Sequence, residues 1–145
     1  MSNKNIVEAL KVVLADSQAL YLKTQNYHWN VEGPHFKSLH QLFEEQYTDL
    51  ADAIDTIAEL IRTLGEKAPG NWKAYDVLRT IRDGDEDATA EVMVTDLASD
   101  QSAIHETLQQ ALKVAQSIEN EVVIGILVDR MSVHSKNRWM LNSSQ

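Results

Sequence analysis

The chain contains no cysteine. That excludes disulfides, thiolate catalysis and cysteine-ligated zinc or iron–sulfur sites, and it is compatible with a reducing compartment. Proline is almost as scarce, with two in 145 residues, so little in the chain interrupts a helix. Long apolar runs are missing too. The longest, Val122 to Val128, is seven residues, against the ~20 needed to cross a bilayer. The opening MSNKNIVEALKVVLADSQAL lacks the basic segment and continuous apolar stretch of a secretory leader. These absences lead us to expect a cytoplasmic protein with no membrane association. Positive charge is also in short supply: 13 Lys and Arg against 22 Asp and Glu leave a net charge of −9. Such a surface repels phosphate backbones unless cations are concentrated somewhere. Lys4 and Lys11 are the only cations before Lys23, so there is no basic arm, and Lys136 and Arg138 read as part of a solvated helix face. Direct DNA binding is therefore not expected.

What the chain does have is helical periodicity. Residues from about 3 to 30 place Ile6, Leu10, Val13, Leu14, Leu20 and Leu22 at helical spacing with neither Gly nor Pro. Glu32-Gly33-Pro34 breaks this helix, and Pro34 suits the start of the next. The second helix is expected from about 35 to 64, stopping at Gly65. After the loop at Ala68-Pro69-Gly70, Asn71 to Arg79 can form a short helix, and Asp83-Gly84-Asp85 breaks the chain again. Helical spacing resumes near Thr89 and runs to about Ile118 through Val92, Leu97, Ile104, Leu108, Leu112 and Val114. A last helix spans about Glu121 to Leu141. Four long helices with a long crossing between the second and third predict an all-α four-helix bundle, one domain over residues 1–145, with a short helix in the crossover.

Five residues in this pattern are potential metal ligands: His28, His40, Glu44, Asp55 and Glu59. His40/Glu44 and Asp55/Glu59 are i,i+4 pairs on the second helix, so each pair shares a face. Imidazole nitrogen combined with carboxylate oxygen suits iron or a related divalent ion. With His40 as the zero of a helical wheel, Glu44 lies at about 40°, Asp55 at about 60° and Glu59 at about 100°. The apolar residues Leu39, Phe43, Tyr47, Leu50, Ile54, Ile57 and Ile61 occupy the arc from about −100° to about −20°. The four ligand types therefore sit on the shoulder of the buried stripe. A single i,i+4 pair of this kind is commonly surface decoration; two on one shoulder, with His28 nearby, are harder to explain that way.

Axial distance adds a second constraint. Glu44 and Asp55 are ~16 Å apart along a helix, and ligands ~2–2.6 Å from an ion cannot bridge that gap. A second copy of the helix, antiparallel about a twofold axis near residues 49–50, would set His40/Glu44 of one chain against Asp55/Glu59 of the other. Symmetry would generate two such sites, and His28 could close each. The spacing thus predicts a metal site shared between subunits. The alternative of two metals inside one bundle requires Glu-x-x-His on a helix. Here the pattern occurs only from Glu32 to His35, interrupted by Gly33-Pro34.

The segment Tyr27-His28-Trp29-Asn30-Val31-Glu32-Gly33-Pro34-His35-Phe36, followed by Leu39-His40, Phe43-Glu44-Glu45-Gln46-Tyr47 and Asp55-x2-Ala58-Glu59, resembles the Dps family, the ferritin-like DNA-binding proteins from starved cells. The likeness continues through Leu64-Gly65-x2-Ala68-Pro69-Gly70 to His134-x-Lys136-x2-Trp139-Met140-Leu141, nearly the whole chain. It implies a ferritin-like bundle assembled as a hollow dodecamer of tetrahedral symmetry. It also implies binding of Fe(II) at twofold interfaces, oxidation commonly by hydrogen peroxide (oxygen being the other candidate oxidant), and storage of Fe(III) as a mineral that limits oxidative stress. On this resemblance His28, His40 and Glu44 are ligands from one subunit, and Asp55 and Glu59 those from its mate. The chain departs from the family pattern at Glu44, where many members have Asp, and at Ser135, where Glu is familiar. The basic tail of DNA-binding members is also missing, although a DNA-compacting role with a secondary metal site remains the alternative, through divalent-cation bridging.

Several other residues have two readings. Trp29 either accepts oxidising equivalents beside His28 or packs at the dimer interface. Glu45, Asp49 and Asp52 either face a mineral cavity or form a solvated face. Glu119, Glu121 and Asp129 either line an acidic iron-entry pore or simply favour a helix N-terminus. His35, His105 and His134 are taken as structural or exposed, and Trp72 and Tyr75 as packing residues.

Overall fold

The structure, a computed structural model, describes residues 3–145. Five helices follow one another: α1 (Lys4–Asn30), α2 (Phe36–Thr63), α3 (Trp72–Leu78), α4 (Ala90–Ser117) and α5 (Glu121–Asn142). The four long helices form the bundle; α1 packs on α2 and α4, α4 packs on α5, and α3 lies in the crossover against α1. No strand occurs among the described residues. The expected architecture, including the short helix in the crossover, is what the chain adopts.

Local chemistry sets the ends. Asn71, Thr89 and Asn120 are N-caps of α3, α4 and α5, each accepting a hydrogen bond from the backbone N–H three residues on. At the end of α2, Glu66 N–H donates to Ile61 O and Gly65 N–H to Arg62 O, with Gly65 at φ +96°. This left-handed stop is open to glycine without steric cost. The end of α4 makes the same two bonds, Asn120 N–H to Ala115 O and Glu119 N–H to Gln116 O. There Glu119 occupies the left-handed position at φ 55°, a conformation that costs a non-glycine residue about 1–2 kcal/mol.

The apolar core is in two parts. One gathers Leu10, Leu14, Ile57, Ile61, Leu108 and Leu127; the other gathers Leu20, Tyr27, Phe43, Leu50, Met93 and Leu97. Buried polar residues lie along the helices between and beside them. Fully buried Asp16 accepts from Thr80 N–H at 2.6 Å, Thr80 Oγ1 at 2.7 Å, Ile81 N–H at 3.1 Å and Thr107 Oγ1 at 2.8 Å. One carboxylate thereby ties the crossover and α4 to α1. Further along the crossover, Gly84 passes so close to α1 that a Cβ there would meet Lys23 and Tyr27 carbons at 3.0 Å.

Candidate metal centre

His28 sits in the last turn of α1, where the final carbonyls have no intrahelical N–H partner. His40 sits one turn into α2, just across the short connection. Each ring reaches the other's main chain: His28 Nδ1 lies 2.6 Å from His40 O, and His40 Nδ1 lies 2.7 Å from His28 O. A carbonyl oxygen can only accept, so both Nδ1 atoms carry hydrogen, and in the neutral ring each Nε2 then holds a lone pair. The rings stack with centroids 3.8 Å apart and planes 13° from parallel. Phe36 stacks on His40 and Tyr47 stands edge-on to His28.

Glu44, one turn beyond His40, brings Oε1 to 3.8 Å from His28 Nε2. Ligand atoms of His28, His40 and Glu44 all lie within 4.8 Å of one another. The two imidazoles are preset, because a backbone acceptor on the far nitrogen fixes tautomer and ring direction. Glu44 is exposed, so the trio has two ring ligands fixed by the main chain and one carboxylate at the surface. Two imidazoles and a carboxylate within reach of one another can hold a divalent ion of the iron type.

Asp55 and Glu59 do not join this group. Both are exposed on α2, well along the helix from Glu44, so within one chain the five sequence-predicted residues divide into three and two. Among the described residues, the trio is the one such group of three or more. Other carboxylates along the bundle are paired with cations. Buried Lys23 pairs with Asp96 at 3.1 Å and Asp100 at 2.7 Å, and Arg130 pairs with Asp49 at 2.9 Å. Asp49, half-buried, is thus tied to Arg130 of α5, an arginine that helical periodicity did not flag. His134 is buried beside Arg130. Burial, with the Arg130 and His105 charges, pushes its imidazole down to about 3, so it is neutral.

Among the aromatic residues, Tyr75 is buried and donates to Pro69 O at 2.6 Å. Trp29 and Trp72 are exposed in the single chain, at 61% and 66%. They border a groove of about 760 Å³ along α1 and α3 that also includes Leu22 and Asn26. The locking of His28 by His40 was not anticipated from sequence. Its only signal was the location of His28 among carbonyls left free at a helix end.

The family pattern described as a ferritin-like domain matches residues 7–144. The chain is 35% identical to DNA protection during starvation protein 2 of Bacillus anthracis over 141 residues, 97% of each chain. Among solved structures it is similar to a Dps protein from Bacillus brevis, with TM-score 0.94 and 30% identity over 97% of this chain and 95% of that one. It is also similar to the DPS protein of Vibrio cholerae O1, described as a member of a broad superfamily of ferritin-like diiron-carboxylate proteins, with TM-score 0.93 and 30% identity over 97% and 89% of the two chains.

Proposed function

The chain belongs to the ferritin-like Dps family, and from that premise we propose that it is an iron-storage and detoxification ferroxidase. It oxidises Fe(II) with hydrogen peroxide at sites shared between paired subunits and keeps the ferric product as mineral inside a dodecamer. The observation that carries this is the His28/His40/Glu44 trio, with both Nε2 lone pairs preset by backbone hydrogen bonds. Iron is the substrate here. His28 and His40 fix its position, and Glu44 supplies negative charge that stabilises the ion as it becomes ferric. Two Fe(II) give one electron each to one peroxide, which takes up two protons and leaves as two waters.

Asp55 and Glu59 are the ligands the mate supplies. A second α2, antiparallel about an axis near residues 49–50, carries its exposed carboxylates to the trio. The exposed Trp29 and Trp72 beside the groove along α1 and α3 are apolar surface of the kind such an interface covers. Occupation of the bundle interior by Lys23 and Arg130 ion pairs also favours a site outside the bundle.

Anaerobic Fe(II) titration followed by peroxide, with the mass measured in solution, tests the proposal. We expect one peroxide consumed per two Fe(II) and a particle twelve times the 16.4 kDa chain. A monomeric protein that still oxidised iron at the full rate would remove the shared site.

A further inference from the structure

A second pocket opens between α4 and α5 and shares no residue with the His28/His40/Glu44 trio. It has a volume of about 140 Å³ and is lined by Gln101, Ser102 and His105 from α4 and by His134, Ser135 and Arg138 from α5. Both helices contribute residues at i, i+1 and i+4, one helical turn each. In a chain of net charge −9, this lining has no carboxylate. Two hydroxyls, two imidazoles, a guanidinium and an amide line one small space, a set rich in hydrogen-bond donors.

The inner wall is built by a directed chain of hydrogen bonds. Asp49 holds Arg130 at 2.9 Å, and Arg130 Nη2 lies 3.0 Å from His134 Nε2. A guanidinium can only donate, so Nε2 accepts and the neutral ring keeps its proton on Nδ1. That proton goes to Gln101 Oε1, 2.7 Å away. The direction of the Gln101 amide is thereby settled: its oxygen is used, and its Nε2 remains buried with no hydrogen-bond partner among the described residues. Gln101 and His134 are each only 1% exposed, so the unpartnered donor is held in place. Buried donors in folded proteins find an acceptor, from the protein or from something bound.

We propose that this pocket binds an inorganic oxyanion of the phosphate class. Gln101 Nε2 supplies a fixed donor, Arg138 the charge, and Ser102 and Ser135 further hydrogen bonds. A water molecule would serve Gln101 alone, whereas an oxyanion takes up all of these donors and the positive charge together. The small volume suits one tetrahedral anion and excludes a nucleotide. The site is independent of the iron chemistry.

The test is calorimetric titration of the assembled, iron-free protein with inorganic phosphate at constant ionic strength, alongside ³¹P line widths. Saturable binding of one phosphate per chain is expected. Arg138→Gln should weaken it about tenfold or more, while Lys136→Gln, an exposed cation on the same helix, should change it less than about twofold. Gln101→Glu retains an acceptor for His134 and puts a carboxylate oxygen where the donor was, so it should abolish binding. Solution mass verifies that each variant assembles, and the Arg138 and Lys136 pair decides the matter even if Gln101→Glu does not fold. Absence of saturable binding, or equal losses in Arg138→Gln and Lys136→Gln, would overturn the proposal.

Discussion

His28 and His40 lock each other: each ring donates Nδ1–H to the other's main-chain carbonyl, at 2.6 and 2.7 Å. Removing either ring takes away a candidate ligand and a stacking partner, but the main-chain carbonyl that holds the remaining ring stays in place. His40→Ala is therefore expected to lower Fe(II) affinity through the lost ligand itself, by at least the ~10–100-fold typical of losing only an outer partner of a metal-bound His, with the His28 tautomer kept. Glu44 has no such partner role. Glu44→Asp, which keeps the carboxylate, should stay within a few-fold of wild type in anaerobic Fe(II) titration, and Glu44→Gln should fall between the two.

Acid should destabilise the fold through His134. Its folded pKa is about 3 against an ordinary 6.5, so the unfolded chain binds the proton more readily. The stabilisation by the neutral ring is whole above pH 6.5 and is lost as pH falls from there towards 3, at up to ~1.4 kcal/mol per pH unit. Urea unfolding at several pH values should show His134→Gln with a shallower acid slope than wild type. Parallel slopes would mean that His134 is not held neutral.

Asp16→Ala should cost about 2–4 kcal/mol, because four hydrogen bonds from Thr80, Ile81 and Thr107 lose one buried acceptor. The crossover is anchored there, so hydrogen exchange should rise first in residues 79–85. Asp16→Asn should be intermediate, since one of its oxygens becomes a donor facing donors.

The bundle was legible because apolar spacing, Gly65 and the Asp83-Gly84-Asp85 break are local signals. The trio was legible for the same reason: His40 and Glu44 are one turn apart, and His28 is at the adjacent helix end. Asp16, Lys23, Arg130, Gln101 and His134 were not. A lone polar residue at an otherwise apolar spacing looks like a surface residue until the partner, 64 or 33 residues away, is known. Trp72, expected to pack, is exposed, since a seven-residue helix is too short for apolar spacing to tell an inward-facing from an outward-facing aromatic residue.

DNA affinity should be weak. At a net charge of −9, mobility shifts are expected only at low salt with magnesium present, where a divalent ion can bridge two anionic surfaces. Tight binding without magnesium would restore DNA compaction as the main role.

The sharing of each site between subunits is tested most directly by complementation. One chain carries His28→Ala with His40→Ala, and the other Asp55→Ala with Glu59→Ala; each alone should assemble but oxidise Fe(II) slowly with peroxide. Unfolded together and reassembled in equal amounts, half of the pairs are mixed and each mixed pair has one intact site of two. Activity should then recover to about a quarter of wild type. If every site lies within one chain, the mixture will be no more active than the average of its two parents.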